Sequence, residues 1–558
     1  MDTPAKAARR HADSGPSAGP ATIAQALVGA LHACGLRRMF GVPGGGASLD
    51  LIEALRARGL AFVLARHECA AVFMAAATAE LDGSVGAALT TKGPGTANAV
   101  NGVAHASLDR CAVVLVTDGF TPPQRAYVTH QWFDQRALLA PISKGHDTLE
   151  TADAPARVAA LLDLAREGRR GPVHVELTGA TARTVAAGAV PVTAHAARTP
   201  PPADALERVR ALLVRARRPI VVAGLEACDA DVAPRVRRLV EALGCPALVT
   251  YKAKGVVPDA SPAYVGIFTG GAAEQEAVNA ADLVVLVGVD PVELILQPWA
   301  YTLPVAELGR VLHPVRYVDA QAGAYGDLAA ALDALAGGAR PGHWDPDEIA
   351  RLAARQRAAL EYRAAPGGGG LTPQQVVELA AQAARALPAW PRATVDAGAH
   401  MFSATAFWPC EAPRGLLISN GLATMGFALP AAIASALHEP DRTTVAFTGD
   451  GGLLMCLGEL ATAVQQRARV VVVVFNDGAL SLIDIKQQQR KLPAGGVHWP
   501  RADFAGTMRA LGGRGWRVSS VAAYRRALRE AFAAQGPALI DVRVDPSGYP
   551  AQLEALRG

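Results

Sequence analysis

The sequence predicts an α/β protein with three doubly wound parallel-sheet domains, and three observations lead to this expectation. At 558 residues the chain is too long for one core, since single cores stop growing at about 250–300 residues. Short apolar runs without polar alternation are separated by helical patterns, which is typical of parallel strands covered on both faces. Stretches rich in Pro and Gly, at 186–202 and from 337 to 370, divide the chain into three such blocks.

We place the three domains at 21–190, 203–336 and 345–558, after a disordered tail at 1–20. The tail is basic and rich in Ala, Ser and Pro, which fits a disordered segment better than an organelle transit peptide. In the first block we expect helices at 24–34 and 48–57, and strands at 38–42, 85–90 and 112–117. In the other two we expect strands at 219–223, 283–287, 443–448, 470–475 and 538–544.

Composition limits the partners of the protein. A net charge of +4 is slight for this length, and no run of Lys and Arg interleaved with aromatic residues indicates a nucleic-acid surface. No apolar stretch reaches the roughly 18 residues of a membrane span without a charge or a breaker. We therefore expect a small-molecule substrate, no nucleic acid and no membrane.

The seven cysteines form no CxxC pair and no cluster at zinc spacing. They are expected to be small core residues of a protein in a reducing compartment, which favours the cytoplasm. They are Cys34, Cys69, Cys111, Cys228, Cys245, Cys410 and Cys456.

The strongest local signal is an apolar run that ends in Gly-Asp-Gly-Gly, with Asp450 as its acidic residue. A helical stretch at 453–466 follows, and a second apolar run then ends at Asn476. This spacing is that of one α/β crossover, so both side chains should meet at the carboxyl ends of neighbouring parallel strands. Their oxygens suit Mg²⁺, and the glycines with the helix N-terminus suit a diphosphate. Taken alone, Gly-Asp-Gly is also typical of a tight turn, and Asn476 of a helix cap.

This spacing resembles that of the thiamine-diphosphate-dependent enzymes. The resemblance covers nearly the whole chain after the tail, and it is greatest to the acetolactate synthase and pyruvate oxidase branch. It implies pyrimidine-binding, central and diphosphate-binding domains, with Mg²⁺ held by Asp450, Asn476 and the backbone carbonyl of Gly478. Further matching segments lie at 40–46, 66–68, 93–98, 396–400 and 421–430.

The resemblance also implies the catalytic carboxylate. Glu68 matches the Glu that hydrogen-bonds the aminopyrimidine ring, so that the ring can remove the weakly acidic thiazolium proton. Taken alone, Glu68 is better explained as a carboxylate that complements the dipole of the following helix.

Other positions match cofactor-contacting residues. Met425 matches the apolar residue that holds the cofactor bent, and His400 a diphosphate contact. Ala423 stands where the family usually has a glycine that contributes only its carbonyl. Backbone contacts to the cofactor are expected from Gly45, Gly46, Gly451 and Gly452.

Substrate positions match less well. In 130–132 the Phe-Gln-Glu of acetohydroxyacid synthases becomes His-Gln-Trp, which keeps Gln131 to hydrogen-bond a reacting oxygen. Gln131 could also be an ordinary loop amide. Lys486 stands at the position of the Trp that selects the second 2-oxo acid in biosynthetic synthases, and the segment 485–490 resembles the catabolic acetolactate synthases more. An Arg-Phe-Asp-Asp-Arg segment of FAD-containing relatives is replaced at 288–294, so we expect FAD to be absent or unnecessary. The central domain could be a structural remnant, or it could hold another nucleotide, as in oxalyl-CoA decarboxylases.

The resemblance leaves three functions open. The first is a carboligase or decarboxylase that acts on a 2-oxo acid. The second is a lyase that cleaves 2-hydroxy ketones or 2-hydroxyacyl thioesters. The third is a non-catalytic paralogue, against which Glu68, Asp450 and Asn476 all argue. In each case the family implies a homodimer or homotetramer with active sites at the subunit interface.

Overall fold

A computed structural model describes residues 20–151, 153–188, 198–295, 298–366 and 368–557. Within these ranges the chain forms three six-stranded sheets in which every strand pair is parallel, as predicted. Nearly all of the proposed tail lies outside the described residues.

The first sheet is built from β1 (Arg38–Val42), β2 (Ala61–Leu64), β3 (Gly86–Thr90), β4 (Val113–Asp118), β5 (Gly145–Leu149) and β6 (Val173–Leu177). Its helices are α1 (Ile23–Ala33), α2 (Ala47–Ala57), α3 (Glu68–Asp82), α4 (Pro94–Leu108), α5 (Pro122–Arg125), α6 (Gln135–Leu139), α7 (Ala154–Arg166) and α8 (Gly179–Ala182). The strand order is β2-β1-β3-β4-β6-β5.

The central sheet contains β7 (Pro219–Ala223), β8 (Ala247–Val249), β9 (Tyr264–Ile267), β10 (Leu283–Val287), β11 (Val305–Gly309) and β12 (Ala322–Tyr325). It is covered by α9 (Ala203–Arg215), α10 (Ala233–Leu243), α11 (Gln275–Asn279) and α12 (Leu328–Ala336). Its strand order is β12-β11-β10-β7-β8-β9, and the topological switch point of this order lies between β7 and β10.

The third sheet contains β13 (Arg392–Val395), β14 (Leu416–Ile418), β15 (Thr444–Gly449), β16 (Val470–Asn476), β17 (Arg514–Val518) and β18 (Ala538–Arg543). Its helices are α13 (Pro346–Ala359), α14 (Pro373–Ala384), α15 (His400–Phe407), α16 (Ala428–His438), α17 (Asp450–Met455), α18 (Glu459–Gln465), α19 (Ser481–Gln489), α20 (Phe504–Ala510), α21 (Val521–Phe532) and α22 (Tyr549–Arg557). Its order, β14-β13-β15-β16-β18-β17, repeats that of the first sheet.

The central strands form where apolar, β-branched residues run without interruption. β16 is the clearest case, since five valines precede Phe475 and every residue of the strand is buried. The prediction of one helix at 453–466 is wrong, because the structure has two helices there, α17 and α18, with a break at 456–458. At the break, α18 begins anew at Glu459, and this carboxylate accepts hydrogen bonds from the backbone N–H groups of Arg66 and His67.

The first and third domains of the chain share one apolar core. Helix α3 packs against α16, and Phe73 contacts Phe427 edge to face with 5.7 Å between ring centroids. Close packing of this kind buries the helices between the two sheets and fixes the strand ends relative to each other. None of the described helices is both long and apolar enough to span a bilayer. All seven cysteines are free thiols, and five of them are buried.

Candidate active site

A cavity opens at the carboxyl ends of the third sheet, next to the point where the strand order reverses between β13 and β15. Parallel α/β sheets bind ligands at this place. The cavity is lined by residues that follow β13, β15 and β16, together with the loop before α16 and the start of α19. They include Ala397, His400, Ala423, Met425, Asp450, Gly451, Gly452, Asp477, Leu480, Leu482 and Ile483.

Asp450 is the first residue of α17 and is buried at the end of β15. Its two carboxylate oxygens accept hydrogen bonds from the backbone N–H groups of Gly451, at 2.8 Å, and Gly478, at 2.7 Å. Burial raises the pKa of Asp450 to about 7, and the neighbouring carboxylate of Asp477 is the second cause of this rise. Within the described chain, no Lys, Arg or His forms an ion pair with Asp450. A bound cation would therefore be the charge partner of this carboxylate.

Asn476 ends β16 and is completely buried. Its Oδ1 has no hydrogen-bond partner in the described part of the chain, which is unusual for a buried carbonyl oxygen. Gly478, two residues later, has a φ of +81° and orients its N–H toward Asp450. Its carbonyl accepts from the N–H of Trp499 at 3.0 Å and keeps a second lone pair.

These three residues fit a hard divalent cation. They offer a carboxylate, an unpaired amide oxygen and a backbone carbonyl, which are the oxygen donors that Mg²⁺ prefers. Among the residues described, no group of three or more His, Cys, Asp or Glu side chains could hold a metal. A softer metal that needs such a group is therefore not favoured here.

The loop before α16 is held by Asp396, which follows β13. Its carboxylate accepts from the backbone N–H of Gly426 at 3.0 Å, from that of Phe427 at 3.2 Å and from the Thr448 hydroxyl at 3.0 Å. A Cβ atom at Gly452 would collide with this carboxylate. Gly452 is therefore required by the packing of Asp396, in addition to any contact it makes with a ligand.

Ala423 and Met425 lie on this loop and face the cavity. Ala423 has a φ of +52°, the left-handed conformation that glycine adopts without strain. The Met425 Cε atom lies so near Gly451 that a Cβ atom there would be 3.4 Å away. The thioether therefore forms the part of the cavity wall that faces the Gly-Asp-Gly segment.

His400 begins α15 and its ring stacks on Phe475, with 5.1 Å between the centroids. Burial lowers the pKa of His400 to about 4, so the ring is neutral at neutral pH. Its Nε2 has no hydrogen-bond partner among the described residues. A neutral imidazole can donate from this atom to an anionic ligand oxygen.

Glu68 begins α3 in the first domain and is buried. Its Oε2 accepts a hydrogen bond from Asn98 Nδ2 at 3.0 Å. The backbone on its N-terminal side is fixed across the domain boundary, because the N–H groups of Arg66 and His67 donate to Glu459. Asn98 lies inside the segment singled out at 93–98, but its pairing with Glu68 was not predicted.

Gln131 lies in an exposed loop of the first domain and has a φ of +57°. Its carbonyl packs so closely on Gly93 that a Cβ atom there would collide with it. The loop is anchored by Gln135, a buried residue that sequence reasoning missed. Gln135 accepts from Thr96 and from the N–H of Gly93, and donates to the carbonyl of Asp118 and to Glu176.

Gly45 and Gly46 lie between β1 and α2 at the carboxyl edge of the first sheet. A Cβ atom at Gly45 would meet nothing within 4 Å, whereas one at Gly46 would lie 3.0 Å from the Asp118 carboxylate. Asp118 in turn accepts from the N–H and hydroxyl of Ser48. Gly46 thus allows Asp118 to approach, and Gly45 leaves open space for another molecule.

The structure therefore divides the predicted residues into two groups. His400, Ala423, Met425, Asp450, Gly451 and Gly452 line one cavity, and Asn476 and Gly478 adjoin it. The first-domain residues, Gly45, Gly46, Glu68 and Gln131, are not among the residues that line this cavity.

Comparisons with known proteins identify the family of the domains in which these residues lie. Three thiamine pyrophosphate enzyme profiles match the chain: the N-terminal TPP binding domain at 21–138, the central domain at 206–335 and the C-terminal TPP binding domain at 396–542. The first contains Glu68 and Gln131, and the last contains Asp450 and Asn476.

Curated relatives match over almost their full length. A catabolic acetolactate synthase of Raoultella terrigena is 30% identical over 94% of this chain and 96% of its own. Acetolactate synthase of Bacillus subtilis is 28% identical over 94% and 93%. A 2-hydroxyacyl-CoA lyase of Oryza sativa is 30% identical over 93% and 95%. The chain belongs to the thiamine-diphosphate-dependent enzymes, in the branch that contains the acetolactate synthases.

Proposed function

We propose that the protein is a decarboxylating carboligase that acts on a 2-oxo acid with thiamine diphosphate and Mg²⁺. The observation that carries this proposal is the pair of buried oxygen donors, Asp450 and Asn476, at the ends of adjacent strands beneath Met425. The similarity to acetolactate synthases supports the choice of reaction.

In this proposal Asp450, Asn476 and the Gly478 carbonyl hold Mg²⁺ against the diphosphate. His400 Nε2 and the backbone N–H groups at the start of α17 complete the anion site. When bound, thiamine diphosphate supplies an electron sink for making or breaking a carbon–carbon bond next to a carbonyl. Met425 would contact the cofactor from the cavity wall.

Glu68 would hold a proton for the cofactor's aminopyrimidine ring through Oε1, while Asn98 occupies Oε2. Because no first-domain residue lines the cavity, we propose that Glu68 comes from a second copy of the chain. The smallest active unit is then a homodimer, which can pair into a tetramer. Exposed apolar side chains lie next to both parts of the proposed shared site. They are Leu454, Met455 and Ile483 near the cavity, and Tyr127 and Trp132 near Gln131.

One charged residue favours an anionic 2-oxo acid. Lys486 is exposed on α19, one turn beyond Leu482 and Ile483 of the cavity wall, where its ammonium can meet a substrate carboxylate. Gln131 would hydrogen-bond the reacting oxygen from the other chain. Apolar groups from α19 exclude water around the reacting carbon.

The test is a panel of 2-oxo acids and acyloins, given to the purified protein with thiamine diphosphate and Mg²⁺. Release of CO₂ from pyruvate, with an acyloin-type product, is expected. Cleavage of 2-hydroxy ketones or 2-hydroxyacyl thioesters without 2-oxo acid turnover would instead support the lyase, which the similarity to the rice enzyme favours. Turnover of neither class would indicate the non-catalytic paralogue.

We further propose that FAD is not needed. Glu226 follows β7 and Asp290 follows β10, the two strands at the switch point of the central sheet where a dinucleotide would bind. A Cβ atom at Gly224 would collide with Glu293, so an acidic side chain of this chain lies against the backbone that follows β7. Full activity of protein without flavin absorbance is expected, and loss of activity when a bound flavin is stripped would contradict it. The free cysteines suit the cytoplasm that we propose as the location.

A further inference from the structure

A polar row crosses three strands of the third sheet next to the proposed metal site. In the register of β16 and β18, Asp541 pairs with Val474 and therefore lies diagonally next to Asn476 on the same face. In the register of β17 and β18, Arg517 pairs directly with Asp541. Asn476 and Asp541 are both fully buried.

Asn476 Nδ2 donates to Asp541 Oδ1 at 2.8 Å. The other oxygen of Asp541 faces Arg517, whose Nε is 3.6 Å away. An ionised carboxylate only accepts hydrogen bonds, so the amide must turn its nitrogen toward Asp541. β16 lies between β18 and β15, so an amide nitrogen turned toward β18 leaves the oxygen on the side of β15, where Asp450 lies.

We propose that Asp541 is a positioning residue, which fixes the Asn476 amide with its oxygen toward the metal. This inference rests on the proposed function, because it takes Asn476 as a ligand of Mg²⁺. Without Asp541 the amide can reverse and present N–H donors to the cation, which repels them. The same contact explains the amide at position 476, because two carboxylates at this separation would repel each other.

An exchange of the two side chains tests the proposal. The variants are Asn476→Asp, Asp541→Asn and the double variant, and the readout is the Mg²⁺ concentration that half-saturates thiamine diphosphate binding in calorimetry. Asn476→Asp alone should weaken Mg²⁺ binding about 10- to 100-fold, the usual cost of a disturbed outer contact. Adding Asp541→Asn should bring it back to within about threefold of the wild type, because the amide introduced on β18 can then donate to the new carboxylate on β16.

The matched control is Asp545→Asn, a buried carboxylate just beyond β18 that accepts from the N–H of Ser547 rather than from Asn476. It should leave the Mg²⁺ dependence unchanged. A double variant no better than Asn476→Asp would overturn the positioning role. If Asn476→Asp does not fold alone, the double variant still decides, since wild-type-like binding supports the proposal and lost binding overturns it.

A fourth variant separates this inference from the proposed function. Asn476→Ala should raise the Mg²⁺ requirement if Asn476 is a ligand. Unchanged Mg²⁺ dependence in Asn476→Ala would refute the metal site itself. A raised requirement in Asn476→Ala, combined with no recovery in the double variant, would refute only the role of Asp541.

Discussion

Asn98 donates a hydrogen bond to the carboxylate of Glu68, with 3.0 Å between Nδ2 and Oε2. The two residues lie near the N-terminal ends of neighbouring helices, α3 and α4, which pack along their length. Asn98 therefore holds the Glu68 carboxylate in one orientation and leaves Oε1 for another partner. The role proposed for Glu68 therefore depends on this contact.

Asn98→Ala should lower kcat about 10- to 100-fold, because a catalytic group displaced by even about 1 Å loses this much rate. The affinity for thiamine diphosphate should change little, since the proposed diphosphate site lies in the other domain. Steady-state kinetics and calorimetry measure the two quantities. Ser107→Ala, at the far end of α4, is the control and should keep wild-type kcat. An Asn98→Ala enzyme with unchanged kcat would show that Glu68 does not need this partner.

Ala423→Gly should stabilise the protein by about 0.5–1 kcal/mol, because glycine removes the strain of a left-handed alanine and this exceeds its own entropy cost. Urea unfolding of the cofactor-free protein measures the change. Ala522→Gly, on the exposed face of α21, should instead destabilise by about 1 kcal/mol. Equal losses in both variants would mean that position 423 carries no strain.

Stability should depend on pH through His400. Burial lowers the pKa of His400 to about 4, below the ordinary 6.5, so below pH 6.5 the unfolded chain binds a proton that the folded chain rejects. Stability is therefore lost as the pH falls from 6.5 to about 4, by up to about 3 kcal/mol. His400→Gln should flatten this part of the curve, and the exposed His32→Gln should not. A curve that keeps its slope in His400→Gln would assign the loss to other groups.

The structure shows which parts of the site a sequence can predict. Strands such as β7 and β10 were predicted to the residue, because buried parallel strands are continuous apolar runs. The meeting of Asp450 and Asn476 followed from the length of one crossover. We did not predict three contacts, which are those of Asn98 with Glu68, Gln135 with Gly93 and Asp541 with Asn476. The residues in these pairs are 30, 42 and 65 positions apart in the sequence and belong to no local pattern.

The break between α17 and α18 was missed for a similar reason. The segment has helical composition, and the contact beside the break, of Glu459 with the backbone of Arg66 and His67, joins residues that are far apart in the sequence. Separation of Glu68 from the cavity of Asp450 is likewise a property of the tertiary structure.

Asp450→Ala should abolish the binding of thiamine diphosphate rather than slow a bound complex. The variant removes one proposed ligand of the cation and both acceptors for the N–H groups of Gly451 and Gly478. Calorimetry with Mg²⁺ present gives the affinity directly. Asp441→Ala, an exposed residue of the same domain, should bind normally. Wild-type affinity in Asp450→Ala would refute the metal assignment.

Each active site is proposed to join Glu68 of one chain to Asp450 of another, and complementation between two inactive variants tests this arrangement. Glu68→Gln should bind cofactor but lose most activity, since the amide cannot stabilise the protonated pyrimidine ring. Mixed with Asp450→Ala under conditions of subunit exchange, it should recover about a quarter of wild-type activity, because half of the dimers are mixed and each has one intact site. No recovery despite demonstrated exchange would contradict the shared site.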